Sequence, residues 1–391
     1  GGGDCALKLL AKAFVNHREP ASFMTELRAF GALPYPNLLI VGFLKCGTTS
    51  LAKYLSDHPD IARPVAKELY YLIDADSDLR SIQPVVNNHA FAAGTNGATA
   101  HAYLDFFPDR AGCRYAIDAT PFYYSQQTAI QYAQTNPDVR VIFMVRTPEK
   151  RLASSFQYFQ NVLQEYPDGS FDAFVDALLD HGPRRDAYRA RIKKPFFRKL
   201  FDDELEMGNY DKHISRWISA VGKDRVFIGQ SEALGADPQA FMTQICGFLD
   251  IDDDFYRSYA FRLYMRSYQV RLPFVQKLGR KLARTDAIRY DRMTEFQSLF
   301  YRVPVEWLRS VCDLAYGAIQ RASSAKPFSP AAMRQLRAYY DEANRALKAR
   351  YGIDYLRADH GSDLGAGAYA HLAAESPARA AVPDQELRLA E

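Results

Sequence analysis

No apolar run in the 391 residues approaches the roughly 20 that a membrane-crossing helix needs. The opening stretch GGGDCALKLLAKAFVNHR has a short apolar helical pattern broken by Lys8 and Lys12, without a small-residue cleavage site. It reads as a packing helix rather than a secretory signal, with a membrane-surface helix as the alternative. Cysteines are few and odd in number: Cys5, Cys46, Cys113, Cys246 and Cys312. CxxC and HxxxH spacings are missing, so neither a disulfide framework nor a zinc site is supported, and no metal is expected. Such cysteines suit a reducing compartment. The expected location is therefore cytoplasmic, with peripheral contact at the inner membrane surface as the alternative. A large charge of one sign is missing too, since 49 basic less 46 acidic residues leave +3. Nucleic acid is not an expected partner, and any anion site must be local.

What is present is ordinary for a globular chain, 48% hydrophobic and 24% charged residues. Strand-like runs recur at Leu38–Val41, Tyr115–Asp118, Val139–Val145 and Val226–Ile228. Helical spacing appears between them, as in Leu51, Tyr54, Leu55 and in Phe156, Phe159, Val162. This alternation predicts an α/β fold with a mostly parallel sheet, whose ligands bind where strand ends feed helix N-termini. Two segments, about 72–112 and 165–205, read as insertions. The second holds eight basic residues from Arg184 to Lys199 against one acid, Asp186, with Phe196 and Phe197 among them. A solvated helix face is the plainer reading of that run; lining a cleft for an anionic acceptor is the sharper one. The expected organisation is a helical lead over 1–35, one catalytic domain over 36–357, and a disordered Ala-rich tail over 358–391.

The stretch GFLKCGTTSL, Gly42 to Leu51, follows the first strand-like run. Gly42 and Gly47 keep the G-x-x-x-x-G spacing of an ATP-binding Walker loop, but Thr48 stands where its lysine belongs. Lys45 lies inside the turn instead. The run Val139–Val145 ends in Arg146 rather than in a magnesium-binding aspartate, which disfavours ATP–magnesium chemistry. Gly47 still lets the backbone approach an anion closely. The amides of Gly47 to Ser50 open a helix, and Thr48, Thr49 and Ser50 add hydroxyls. By itself this loop could equally be a glycine turn with a solvated lysine.

A second motif, VRVIFMVRTPEKRLASSFQYF from Val139, runs strand, Arg146, then helix. Thr147 is expected as N-cap and Pro148 at the first helical position. Ser154 follows Arg146 by eight residues, and arginine's forked donors suit a phosphate. Arg151 fits the same R-x-P-x-x-R-x-x-S pattern, with a structural salt bridge as an equal alternative.

In this order and spacing, the two motifs resemble those of the sulfotransferases, which use 3′-phosphoadenosine 5′-phosphosulfate (PAPS) as donor and release 3′,5′-adenosine bisphosphate (PAP). The resemblance implies a P-loop-like three-layer sandwich, a central mostly parallel sheet flanked by helices. It places Lys45 at the bridging oxygen, the loop Cys46, Gly47, Thr48, Thr49 and Ser50 on the 5′-phosphate, and Arg146 with Ser154 on the 3′-phosphate. The likeness continues through GNYDKHISRWISAVGKDRVFIGQSEALGADPQAFMTQICGFLDID and KPFSPAAMRQLRAYYDEANRALKARYGIDY, the latter similar to bacterial members. Trp217, Phe248 and Leu249 read as core residues there. Tyr210 reads as packing, with adenine stacking the alternative. Cys46 reads as a small filler rather than a reactive thiol.

On the acceptor side, IARPVAKELYYL resembles the lysine–glutamate–aromatic stretch of glycan-type sulfotransferases, whose glutamate is the base. Glu68 is thereby implied as base, with Lys67 steadying sulfuryl oxygens or acceptor; an exposed ion pair is the plain alternative. Asp118 is the second candidate base, or a cap for the turn at Pro121. A histidine base is the third: His101 stays open, His58 reads as structural, and His89 matches no motif. DATPFYY departs from the animal glycan enzymes, with Ala119 where they carry a lysine. The expected activity is sulfuryl transfer (EC 2.8.2) to a hydroxyl of a carbohydrate or glycolipid, or alternatively to a hydroxyl or amine of a small molecule or natural product. A nucleotide kinase or a non-catalytic nucleotide-binding module are the rival readings.

Overall fold

The computed structural model describes residues 36–64, 67–74, 76–77, 79, 106–107, 111–261 and 328–356. The lead 1–35, the tail 358–391, His89 and His101 lie outside them.

Among the described residues five strands form the sheet: β1 (Leu38–Gly42), β2 (Ile61–Ala62), β3 (Tyr115–Asp118), β4 (Arg140–Val145) and β5 (Val226–Gln230). Their order is β2-β3-β1-β4-β5, and every neighbouring pair is parallel. A parallel sheet is covered on both faces, which explains why LLIV in β1 and VIFMV in β4 are apolar without alternation and wholly buried. The four expected strands form with shifts of a residue or two at their ends. β2 escaped the sequence because two residues show no period.

The described helices are α1 (Thr48–Ser56), α2 (Gln127–Thr135), α3 (Pro148–Gln157), α4 (Phe171–Leu179), α5 (Pro183–Ala190) and α6 (Pro195–Asp203). They continue as α7 (Tyr210–Val221), α8 (Ser231–Ala236), α9 (Pro238–Leu249), α10 (Pro330–Tyr339) and α11 (Asp341–Tyr351). Proline opens α3, α5, α6, α9 and α10, where its missing N–H has no helical partner to lose. The segment after Leu72 is stitched to the core: Asp74 accepts from the first amides of α2, Gln127 N at 2.9 Å and Thr128 N at 2.7 Å. Thr147 does occupy the N-cap of α3, but its hydroxyl does not cap the helix. It donates to Glu232 of α8 (2.8 Å), which also accepts from the Thr147 amide (2.9 Å).

Arg151 is wholly buried and pairs with buried Glu204 at 3.0 Å. Glu204 also accepts from Ser155 (2.5 Å) and Tyr166 (3.0 Å). Burial alone would lower the Arg151 pKa, but the Glu204 carboxylate together with Tyr340, Tyr210 and Cys46 more than offsets it, and the guanidinium stays charged. Of the two roles open to Arg151, the salt bridge is the one formed. Trp217 and Leu249 are fully buried, whereas Phe248 is half-buried against Phe227. His58 is buried, with Nε2 2.8 Å from the Asp252 carbonyl and Nδ1 accepting from the Asp60 amide.

Candidate active site

The strand order reverses about β1, whose connection leads toward β2 while that of β4 leads toward β5. Such a switch point opens a crevice at the carboxyl ends of the two strands. The loop Gly42–Ser50 leaves β1 there, and Arg146 leaves β4 beside it. Arg146 Nη1 donates to the Lys45 carbonyl at 3.3 Å, and the Arg146 carbonyl accepts from Tyr210 at 2.8 Å. The two sequence motifs, about 100 residues apart, are thus joined by a contact from the Arg146 side chain to the Lys45 backbone. Tyr210 is buried, packed on Phe43 with ring centroids 4.7 Å apart.

Gly47 is the N-cap of α1 in the left-handed region (φ 83°), and a Cβ there would meet Ser231 Oγ at 3.2 Å. The cap residue brings no side chain of its own, and the first-turn amides of a helix have no acceptor within it. Thr48 and Ser50 are buried and Thr49 half-buried. Cys46 turns its thiol into the core, 3.8 Å from the Tyr210 hydroxyl, and its amide donates to the Phe43 carbonyl. Burial pushes the thiol up to about 12, only partly countered by Arg151, Tyr210 and Arg146. At pH 8 its thiolate is then about one part in 10⁴, so an alkylating reagent is expected to reach Cys46 only on unfolding. Labelling at native-state rates near those of half-buried Cys113, followed by mass spectrometry, would contradict this.

Lys45 lies in the left-handed region too (φ 65°), with Nζ 4.0 Å from the ring centroid of Tyr158. Glu68 (φ 63°) and Tyr70 (φ 50°) share that backbone region. The Lys67–Glu68 pair is not the exposed ion pair considered from sequence, because the Lys67 side chain is fully buried. Lys67 donates to Glu68 Oε1, and Tyr70 donates to Oε2 at 2.8 Å. Burial, then the Glu68 carboxylate, then Tyr123 and Tyr158 push the Tyr70 phenol well above its usual range, so it remains a donor. Asp118 is fully buried and accepts from Thr120 (2.7 Å) and Tyr123 (2.8 Å), while the Tyr123 oxygen accepts the amides of Tyr71 and Leu72. It therefore holds the segment that carries Glu68. Ser154 lies buried in α3, and Ala119 is buried.

A cavity of about 230 Å³ lies beyond Phe122, which packs on Tyr70 at 5.9 Å. Both inserted segments line it, through Asp74 and Leu79 on one side and Phe196, Lys199 and Asp203 on the other. The basic run is not a bare cationic strip. Arg185 and Arg189 pair with Asp202, Lys194 with Glu165, and Lys199 with Asp203. Sequence reading missed Tyr70, Tyr158 and Glu232 as parts of this site. Tyr158 stands four residues after Ser154, a helical spacing that could have signalled a shared face.

A glycine loop at the end of β1 beside an arginine at the end of β4, without a Walker lysine, places the chain among α/β proteins with an anion-binding type of loop. The sulfotransferase domain model matches residues 35–270, and the chain belongs to the sulfotransferase family. Sulfotransferases are PAPS-dependent transferases. The chain is 24% identical over 236 residues to the human bifunctional heparan sulfate N-deacetylase/N-sulfotransferase 1, covering 58% of this chain and 24% of that protein. It is 22% identical to human carbohydrate sulfotransferase 15, over 62% of this chain and 48% of that protein. It thus spans a quarter to a half of these relatives. A sulfotransferase from Alicyclobacillus acidocaldarius shares the fold, with a TM-score of 0.52 at 19% identity over 83% of this chain and 100% of that one. Among the described residues, no helix is long and apolar enough to cross a membrane.

Proposed function

We propose that the protein transfers a sulfuryl group from PAPS to a hydroxyl of a carbohydrate or glycolipid. One observation carries the reading: of five described non-glycine residues with positive φ, three are Lys45, Glu68 and Tyr70. Such backbone is sparsely populated and persists where the surrounding fold enforces it, often at functional sites.

In this mechanism the acceptor oxygen attacks sulfur in line. The bond from sulfur to the bridging phosphate oxygen breaks, and PAP leaves with the electron pair. Glu68 takes the acceptor proton, its two oxygens held by Lys67 and Tyr70. Lys45 offsets charge on the bridging oxygen as it leaves. The amides and hydroxyls of Gly47 to Ser50 hold the 5′-phosphate, with Cys46 supplying backbone shape. Arg146 and Ser154 hold the 3′-phosphate, and the cavity past Phe122 receives the acceptor. The names of the relatives, a heparan sulfate N-sulfotransferase and a carbohydrate sulfotransferase, support a glycan acceptor. The first also supports a second reading, transfer to an amine.

Calorimetric titration tests the donor. PAP is expected to bind tightly without added metal and ATP weakly, with or without magnesium. Magnesium-dependent ATP binding that exceeds PAP binding would replace this reading with a kinase. Labelled PAPS offered with a panel of glycans, glycolipids and amines then identifies the acceptor.

A further inference from the structure

We propose that Tyr158 is a positioning residue that aims the Lys45 ammonium at the reacting centre through the face of its ring. This rests on the reading above, in which Lys45 acts on the leaving oxygen.

Helix α3 does not end as a regular α-helix but widens into a π-turn over Tyr158–Val162, closed by the Leu163 amide on the Tyr158 carbonyl at 2.9 Å. Such turns recur at functional sites, because the extra residue re-aims the side chains beside it. Ser154 and Tyr158 are four residues apart, on one face of this helix. The half-buried ring of Tyr158 receives Lys45 Nζ at 4.0 Å from its centroid, well inside the range of a cation–π contact. The same ring lies within electrostatic reach of Tyr70, whose hydroxyl bonds Glu68. Tyr158 therefore touches the lysine of the donor loop and lies within electrostatic reach of the tyrosine that holds the acceptor-side carboxylate.

The chemistry suits that place. A lysine stem is long and flexible, and an unrestrained ammonium would sample many positions away from the bridging oxygen. It would also fall readily onto a nearby carboxylate. A ring face attracts the ammonium without consuming an acceptor proton or offering a competing charge. It engages the group through its face and brings no anionic acceptor that would compete with phosphate and sulfuryl oxygens. Confinement of this kind raises the fraction of productive encounters, so its loss belongs in kcat rather than in donor affinity.

The test is a double-mutant cycle on the full chain with PAPS and an accepted acceptor. Tyr158→Phe keeps the ring face and is expected to retain kcat within about twofold, while Tyr158→Leu lowers it about tenfold. The Kd for PAP is expected to change little in both. In a Lys45→Ala background, Tyr158→Leu is expected to add nothing, because its effect runs through the lysine. An equal loss in both backgrounds, or a Phe variant as poor as Leu, overturns the proposal. Tyr158→Met replaces Leu in the cycle if the Leu variant fails to fold. A wild type that binds PAP but transfers nothing counts against the catalytic reading alone. The contact is then read by NMR of ¹³C-methylated lysines, with Lys45 assigned by its alanine variant. Its methyl signal is expected upfield in the wild type and Tyr158→Phe, and unshifted in Tyr158→Leu; no upfield signal in the wild type overturns the proposal.

Discussion

Lys45→Ala is expected to lower kcat by about 10²- to 10³-fold, the range for removing one donor aimed at developing transition-state charge. The loss should fall on kcat far more than on PAP binding, since the proposed mechanism assigns PAP binding to the α1 N-terminus, Arg146 and Ser154. The reason is geometric. The Lys45 backbone sits in the left-handed region, its carbonyl held by Arg146, and its ammonium rests 4.0 Å over Tyr158. Steady-state kinetics with PAPS, beside calorimetry with PAP, separate the two effects. Near-normal turnover in the variant would remove Lys45 from the mechanism. A parallel fall in PAP affinity would make it a binding residue only. Neither result is expected, because the bridging oxygen gains most of its charge as the sulfur–oxygen bond breaks.

Glu204→Ala is expected to lower the unfolding free energy by about 3–5 kcal/mol, the usual penalty for leaving one partner of a buried ion pair alone. Arg151 has no solvent to turn to, being fully buried with its guanidinium held by the Glu204 carboxylate and carbonyl. Ser155 and Tyr166 lose the same acceptor. Removing both charges together, as Arg151→Met with Glu204→Leu, is expected to recover most of the loss, since no uncompensated charge then remains buried. Chemical denaturation of the three variants measures this. A single-variant loss below about 1 kcal/mol would mean that water reaches the guanidinium, as at exposed pairs. The pair ties α3 to the chain just past α6, and α3 is the helix that bears Ser154 and Tyr158.

The loop and the arginine-bearing strand end were legible because each couples a local structure to a sequence spacing. An apolar run, a glycine at a forced turn and a helix start occupy neighbouring residues, so Lys45, Gly47 and Arg146 could be placed from order alone. Four of the five strands were legible for the same reason, since parallel strands buried on both faces read as unbroken apolar runs. Glu68 could be named only through its resemblance to other chains. Nothing local distinguishes its lysine–glutamate pair from an exposed one until the burial of Lys67 is known. The role of Arg151 was undecidable for a similar reason: its partner, Glu204, lies 53 residues away.

The sequence by itself determined the α/β class, the loop spacing that disfavours a Walker site, and the order of the two motifs proposed to bind the donor. These depend on contacts between residues close along the chain, where spacing and composition carry the information. Only the tertiary structure decided which charges face each other. It set Arg151 against Glu204, hung Thr147 on Glu232, folded the basic run onto acids from elsewhere, and brought Tyr158 under Lys45. Those pairings join residues up to 113 positions apart, as Tyr158 minus Lys45 gives. Across such distances no local period constrains the partner; packing of helices on the sheet selects it.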